Sequence, residues 1–525
     1  MLFNSYIFIF VYLPIVFFGY FGLGRYSHKL AAAWLALASI FFYGWWDFRF
    51  TGLLLGSIAV NYGAGYAIAK QAFLRPKSLL TLAIAFNLLL LGYFKYFNFF
   101  IDNLNRLTGS GLENAPILLP LGVSFFTFTQ IAFLVDTYQG KAREYNFVHY
   151  SLFVTYFPHL IAGPVLHHKE MMPQFGERTS AKINTENVAV GLSIFILGLA
   201  KKILIADSLA GYATPIFDAV HKGGEPMLVE SWIAALSYTF QLYFDFSAYS
   251  DMAIGLSLMF NIRLPINFYS PYKATSIIEF WRRWHMTLSR FLREYLYIPL
   301  GGNRKGNLRR HVNLMVTMLL GGLWHGAGWP FVIWGGLHGG YLIINHAWIG
   351  FKQRMGWGNG GRMAQFLAGL LTFLAVVVGW VFFRAETLQD AIDILHGMAG
   401  RNGCSFSRKL ATSEIAPFLK SMGVSFKGTL TLTELKSGKA FKLLLAALLI
   451  AFYFPNLQQI FAQYRPALTD LPQAVNENGQ VSRKEWLQRL CQWHPTYIKA
   501  WAMGLVFAYT LLNFTKISEF LYFRF

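Results

Sequence analysis

Apolar runs long enough to cross a bilayer recur from one end of this 525-residue chain to the other, and that recurrence limits what it can fold into. They lie at 6–23, 30–46, 52–69, 78–94, 117–134, 147–165, 188–217, 229–260, 311–349, 365–383, 441–454 and 498–514. A spanning helix needs about 20 apolar residues, roughly 17–25. The hydrocarbon core admits only helices or closed barrels, because every backbone amide needs an internal partner there. These runs are continuous rather than alternating, which argues against a barrel. Charged residues make up 13% of the chain, about half the share in a soluble domain. The expectation is an all-α, polytopic integral membrane protein with about ten to twelve transmembrane helices plus re-entrant segments. Two runs are long enough to turn back on themselves. ILLPLGVSFF and FPHLIAGPVL are broken by Pro and Gly, and such breaks survive at membrane depth only where protein or a water-filled cavity satisfies the backbone.

The first run has no basic residue before it and no small-residue cleavage site after it, so it reads as a retained helix rather than a signal peptide. Arg25 and Lys29 follow the first run, and Lys70, Arg75 and Lys77 follow the third. The positive-inside rule makes those loops cytoplasmic and the N-terminus external. A net charge of +20 is then read as orientation and contact with anionic membrane lipid, with no nucleic-acid partner. Cys404 and Cys491 form neither a CxxC pair nor a framework, so no structural disulfide is expected. No internal repeat is apparent. Three stretches follow: N-terminal transmembrane helices at 1–110, a core at 111–385 dense in aromatics and glycine, and interfacial loops with C-terminal transmembrane helices at 386–525. The last stretch includes polar connections at 399–439 and 463–495 and a short amphipathic helix at 388–398.

SIIEFWRRWHMTLSRFLREYLYIPL, residues 276–300, is the most legible segment. Ser276 with Glu279 spells a capping box and Pro299 closes the run, which predicts one helix. At 100° per residue Ile277, Trp281, Trp284, Leu288, Phe291 and Tyr295 share a face, while Arg282, Arg283, Arg290 and Arg293 occupy the other. That is an amphipathic helix at the cytoplasmic membrane surface, with His285 at the margin between its faces.

Several motifs are missing: there is no G-x-S-x-G, no Walker A loop and no HExxH. GWGNGG at 356–361 lacks the strand–turn–helix setting of a nucleotide loop. HHKEM at 167–171 reads as surface or interfacial, because adjacent side chains on a helix diverge, and no metal site is expected. What remains is His325 in GGLWHGAGWP, His285, and Asp245, Ser250 and Asp251 in QLYFDFSAYSDMAIG. Ionisable groups within a membrane are costly and usually face a cavity or one another. The glycines around His325 let backbone approach a ligand closely, and the tryptophans can exclude water. The site suits general-base catalysis in a dry pocket. A hydrogen-bonded core histidine is the alternative at His325, and it is the reading for His159, His311 and His338. Asp245 and Asp251 read alternatively as structural partners of arginines.

EFWRRWHMTLSRFLREYLYIPLGGNRKG, TMLLGGLWHGAGWPFVIWGGLHGG, QLYFDFSAYSDMAIGL and YFPHLIAGPVLHHKEMMPQF together resemble the membrane-bound O-acyltransferase family. The resemblance is to its bacterial alginate O-acetyltransferase-like branch, related to the D-alanyl transfer proteins of teichoic acids. It covers roughly residues 1–395 and is strongest from 120 to 385. It implies a multi-helix fold around a funnel, an active-site histidine at His325 and a second at His285. It also implies an activated acyl donor on the cytoplasmic side and a periplasmic SGNH-type transferase that modifies an exported polysaccharide. On this basis the chain is expected in the bacterial inner membrane as an O-acetyltransferase that binds no resident cofactor and uses acetyl-CoA as co-substrate. His325 would take the acceptor proton, and His285 would orient a reacting group or stabilise the oxyanion. Arg282, Arg283, Arg290 and Arg293 are candidate contacts for donor phosphates, since eight basic residues against one acidic lie between Arg282 and Arg310. A cellulose or peptidoglycan acetylase is an alternative. Another is a non-catalytic transporter of polymer, lipid or protons, which broken helices also suit.

Overall fold

The computed structural model describes residues 1–72, 74–142, 146–358, 360–433, 435–468, 490–514 and 519–521. Its elements are helical almost throughout: α1 (Leu13–Gly24), α2 (His28–Gly44), α3 (Arg49–Lys70), α4 (Pro76–Leu91), α5 (Phe97–Thr108), α6 (Val123–Tyr138), α7 (Phe147–Thr155), α8 (His168–Gly176), α9 (Thr185–Ala200), α10 (Asp207–His221), α11 (Leu228–Met259), α12 (Ile277–Trp281), α13 (Met286–Leu292), α14 (Gly306–His325), α15 (Trp329–Arg354), α16 (Arg362–Arg384) and α17 (Leu388–Met398), followed by Ser437–Phe452 and Tyr497–Leu512. Among the described residues the strands are Cys404–Ser405 and Val424–Ser425, paired in parallel. Both cysteines are free.

Among the described residues, four helices are long and apolar enough to cross a membrane by length and composition: Arg49–Lys70, Pro76–Thr108, Thr185–His221 and Arg362–Arg384. Large apolar side chains on them stay uncovered, with Leu89 74% and Leu371 71% exposed. Contiguous apolar surface of that kind suits lipid rather than water. The chain is a polytopic helical membrane protein.

The long runs separate two ways. Residues 311–349 do turn back, as the α14–α15 hairpin, with His325 closing the first arm. Residues 229–260 do not: α11 is one helix of 32 residues, buried nearly from end to end. Likewise 188–217 is a single rod, since α9 passes through a π-helical segment, Lys201–Ala206, into α10. Close packing lets α11 sit at the centre. A Cβ built on Gly191 of α9 would lie 2.5 Å from the carbonyl oxygen of Gly255 on α11, and the converse holds, so the paired glycines let the two backbones touch.

Both interrupted segments are irregular. Residues 109–122 form no regular element before α6, and 157–166 is a series of turns between α7 and α8. The second is buried in protein, and its amides find partners: Phe157 N donates to Ser39 Oγ at 3.2 Å and Val165 N to Thr287 Oγ1 at 2.9 Å. That is the condition under which irregular backbone persists in a membrane protein. The helix at 388–398 forms with the bounds given by its sequence, closed by a capping box between Thr387 and Asp390. The polar connection at 399–439 carries the two short strands and a helix, Ala416–Ser421. Most of the connection at 463–495, residues 469–489, lies outside the described residues.

The helix predicted over 276–300 is not continuous. It breaks at His285, which takes a left-handed conformation (φ 43°, ψ 51°) between α12 and α13. It then widens into a π-helical turn, Arg293–Tyr297. The capping box is half formed: Ser276 Oγ accepts from Glu279 N, but the Glu279 carboxylate takes Thr275 N and its hydroxyl instead. Periodicity could not show the break, because an extended segment from another part of the chain imposes it. Tyr269 N donates to Arg283 O at 2.9 Å, and Met286 N donates to Asn267 O at 3.0 Å. A left-handed non-glycine residue costs about 1–3 kcal/mol and persists only where its surroundings over-determine it.

Candidate active site

His325 is the last residue of α14. The helix stops because Gly326 and Gly328 are extended and α15 begins at Trp329, with Pro330 in its first turn. The glycines serve packing as much as ligand approach. A Cβ on Gly322 would strike Phe331 O, one on Gly335 would strike Met318 O, and one on Gly326 would strike the Phe331 ring. The first two let the hairpin arms cross in contact.

His285 and His325 meet. Their ring centroids are 6.4 Å apart and the side chains are buried, His285 wholly so rather than at a helix margin. The walls are aromatic: Trp324, Trp334 and Phe383 lie 4.9, 5.1 and 5.2 Å from His325, and Phe246 lies 4.8 Å from His285. His285 Nδ1 is 3.0 Å from Asn267 Oδ1, which also accepts from the Thr287 hydroxyl at 2.9 Å. An amide oxygen only accepts, so Nδ1 donates, and a neutral His285 then carries its lone pair on Nε2. Asn267 in turn reaches Ser250 Oγ at 3.4 Å, which brings one of the three α11 candidates into this network.

A cavity of about 510 Å³ opens beside the hairpin tip, lined among others by Lys95, Asn98, Gly326, Gly328, Phe331, Phe383 and Arg384. His325 lies one layer beneath it. Phe331 and Phe383, 5.2 Å apart, form the floor between them. A buried imidazole pair beside such a cavity can take a proton from a hydroxyl and return it.

Asp245 and Asp251 pair with lysines, not arginines. Asp245 holds Lys202 at 2.7 Å and also accepts Leu521 N at 3.0 Å, and Asp251 holds Lys201. They join α11 to the π-helical segment of the α9–α10 rod and take no part in the histidine pair. Among the four arginines, Arg283 is paired with Glu279 at 2.6 Å, and Arg290 binds Glu170 through two bonds of 2.6 and 2.9 Å. Arg282 and Arg293 remain exposed. The two histidines of HHKEM are not at the surface, although Lys169 is: His167 and His168 are buried, with His168 Nδ1 3.3 Å from Asp136, which also accepts from the Tyr295 hydroxyl at 2.9 Å. The tertiary fold turns that segment inward against α6. His159 bonds Phe153 O at 3.1 Å, and His338 is buried among Trp281, Trp334 and Trp380. No group of three or more His, Cys, Asp or Glu side chains among the described residues could hold a metal ion. Sequence reasoning missed Asn267, whose segment carries no signal. It also missed Lys95, whose signal was a cation inside an apolar run.

Residues 40–385 match the model of MBOAT, the membrane-bound O-acyltransferase family. The chain belongs to that family. The MBOAT match takes in both histidines and most of the residues that line the cavity. The chain is 43% identical over 489 residues to a peptidoglycan O-acetyltransferase of Helicobacter pylori, covering 88% of this chain and 90% of the relative. It is 40% identical over 492 residues to a probable alginate O-acetylase of Pseudomonas aeruginosa, covering 92% and 86%. It is 24% identical over 274 residues to a teichoic acid D-alanyltransferase of Bacillus subtilis, covering 51% and 69%. As an MBOAT protein the chain is an acyltransferase, and the non-catalytic transporter gives way to that assignment.

Proposed function

We propose that this acyltransferase moves acetyl groups from a cytoplasmic thioester, acetyl-CoA, across the inner membrane for O-acetylation of an exported, alginate-like polysaccharide. The observation that carries the reading is the buried His285–His325 pair beside the 510 Å³ cavity. In the proposed step His325 takes the proton of an acceptor hydroxyl as its oxygen attacks the thioester carbonyl. The carbon–sulfur bond then breaks, and the leaving thiolate takes that proton back. His285, held by Asn267, orients a reacting group or stabilises the oxyanion. Arg282 and Arg293, the two exposed members of the arginine set, steer donor phosphates.

A bilayer core about 30 Å thick separates a cytoplasmic donor from a long glycan outside. The proposal therefore includes a relay to a periplasmic SGNH-type transferase that carries the acetyl group onward. Proteoliposomes with labelled acetyl-CoA inside and glycan outside test it. Label should reach glycan only when the partner is supplied; efficient labelling by this chain alone would overturn the relay, and no label with the partner present would overturn the donor or the glycan. A second reading, peptidoglycan as the acceptor, is favoured by the 43% identity to the Helicobacter pylori protein. Running the same vesicles with alginate and with peptidoglycan separates the two.

A further inference from the structure

The turn between α4 and α5 carries a cation, Lys95, that the proposed chemistry does not use, and it points at the catalytic hairpin. Between the two helices the chain makes a π-helical turn, Gly92–Tyr96. A π-turn inserts a residue into a helix and re-aims the side chains that follow, often at functional sites. Here it sets Lys95 and Tyr96 against the end of α14. Lys95 Nζ lies 2.5 Å from Trp324 O, 3.3 Å from His325 O and 3.3 Å from Ser124 Oγ. The Tyr96 hydroxyl donates to Leu323 O at 2.9 Å. Three consecutive carbonyls at the helix end, the last belonging to His325, are thus taken by two adjacent side chains more than 220 positions away.

Those carbonyls need partners, because the last turn of any helix leaves its C=O groups without intrahelical donors. The usual remedy is a left-handed glycine whose amide folds back onto the helix. Gly326 is extended instead and makes no such bond, so the cap has to come from elsewhere. No carboxylate among the described residues pairs with Lys95. The negative end of the α14 dipole supplies the complementary charge. The ammonium also lies 5.8 Å from the Trp324 ring centroid, against the indole that packs on His325. With three acceptors around it, the ammonium has no proton left for a substrate oxyanion.

We infer that Lys95 and Tyr96 are positioning residues for the acyl transfer: they clamp the C-terminus of α14 and thereby fix where the His325 ring sits. The inference rests on the preceding reading of His325. Turnover depends steeply on such placement, since a displacement of about 1 Å can cost roughly 100-fold in rate.

The test uses the full chain in proteoliposomes with the periplasmic partner and glycan supplied, with thiol release from acetyl-CoA as the readout and melting temperature as the control for folding. Lys95→Met should lower kcat by about 30-fold or more while KM for acetyl-CoA stays within about twofold, because the residue acts on the catalytic group and not on the donor. Lys95→Arg, which keeps charge and donors, should recover part of that loss. Tyr96→Phe should lower kcat about threefold with little change in melting. If Lys95→Met does not accumulate, Tyr96→Phe decides, and full kcat in that variant overturns the clamp. A loss that falls on KM alone also overturns it and makes Lys95 a donor contact. Turnover that His325→Ala abolishes but Lys95→Met leaves at full kcat overturns this inference alone. Absence of turnover by the wild type, or turnover that survives His325→Ala, overturns the preceding reading and this one with it.

Discussion

His325 closes a regular helix of 20 residues, whereas His285 interrupts a helix that its own sequence would have continued. The first ring is held from outside its segment, by a glycine-stopped helix end whose carbonyls are bonded by Lys95 and Tyr96. The second is held by a strained backbone at φ 43° and by the amide of Asn267 on a paired extended strip. Two imidazoles that meet at 6.4 Å are therefore fixed by different means. A helix end gives a precise position at little local cost, provided its carbonyls are capped. A left-handed break turns a side chain into the bundle at a cost of about 1–3 kcal/mol, which its hydrogen-bonded surroundings must offset.

The largest effect expected from breaking this pair is at His325. His325→Ala should reduce acetyl transfer by about 10²–10⁴-fold, the usual contribution of a general base, with accumulation and melting close to wild type. Kinetics in proteoliposomes alongside a melting curve check both halves. His285→Ala should cost less, about 10–100-fold in kcat, as befits a group that orients a partner. Here the comparison sharpens, because strain and chemistry separate. His285→Gly should be as inactive as His285→Ala yet more stable by about 0.5–1 kcal/mol, since glycine accepts positive φ without penalty. Equal stability of the two variants would mean that the break is not strained. The smallest effect is expected at the arginines. Arg282→Gln with Arg293→Gln should raise KM for acetyl-CoA a few-fold at low salt, and the penalty should fade as salt shortens the Debye length below about 8–10 Å. Arg290→Gln should instead lower stability, because it leaves Glu170 without its bidentate partner.

The same contrast marks what the sequence made legible. Apolar runs revealed the helices, and the length of 311–349 allowed the α14–α15 turn, because these are local signals. The histidine pair was legible as two residues worth watching in a membrane, and the family resemblance named both. The break at His285 was hidden, because it arises from backbone pairing with residues 267–269, and periodicity within 276–300 is silent about a distant strip. His167 and His168 were misplaced for the same reason: adjacent side chains diverge on a helix, but the turn before α8 buries both against α6. Asp245 and Asp251 were correctly allowed a structural role, yet their lysine partners come from a neighbouring element.

The central claim is that His285 and His325 act as one catalytic unit beneath the cavity. A double-mutant cycle on acetyl transfer in sealed vesicles tests it most directly, with His325→Ala, His285→Ala and the double variant matched for accumulation. Groups that act as a unit are strongly non-additive, so the double variant should fall within about threefold of His325→Ala alone. Losses that multiply, or more than about a tenth of wild-type activity in His325→Ala, would contradict the account.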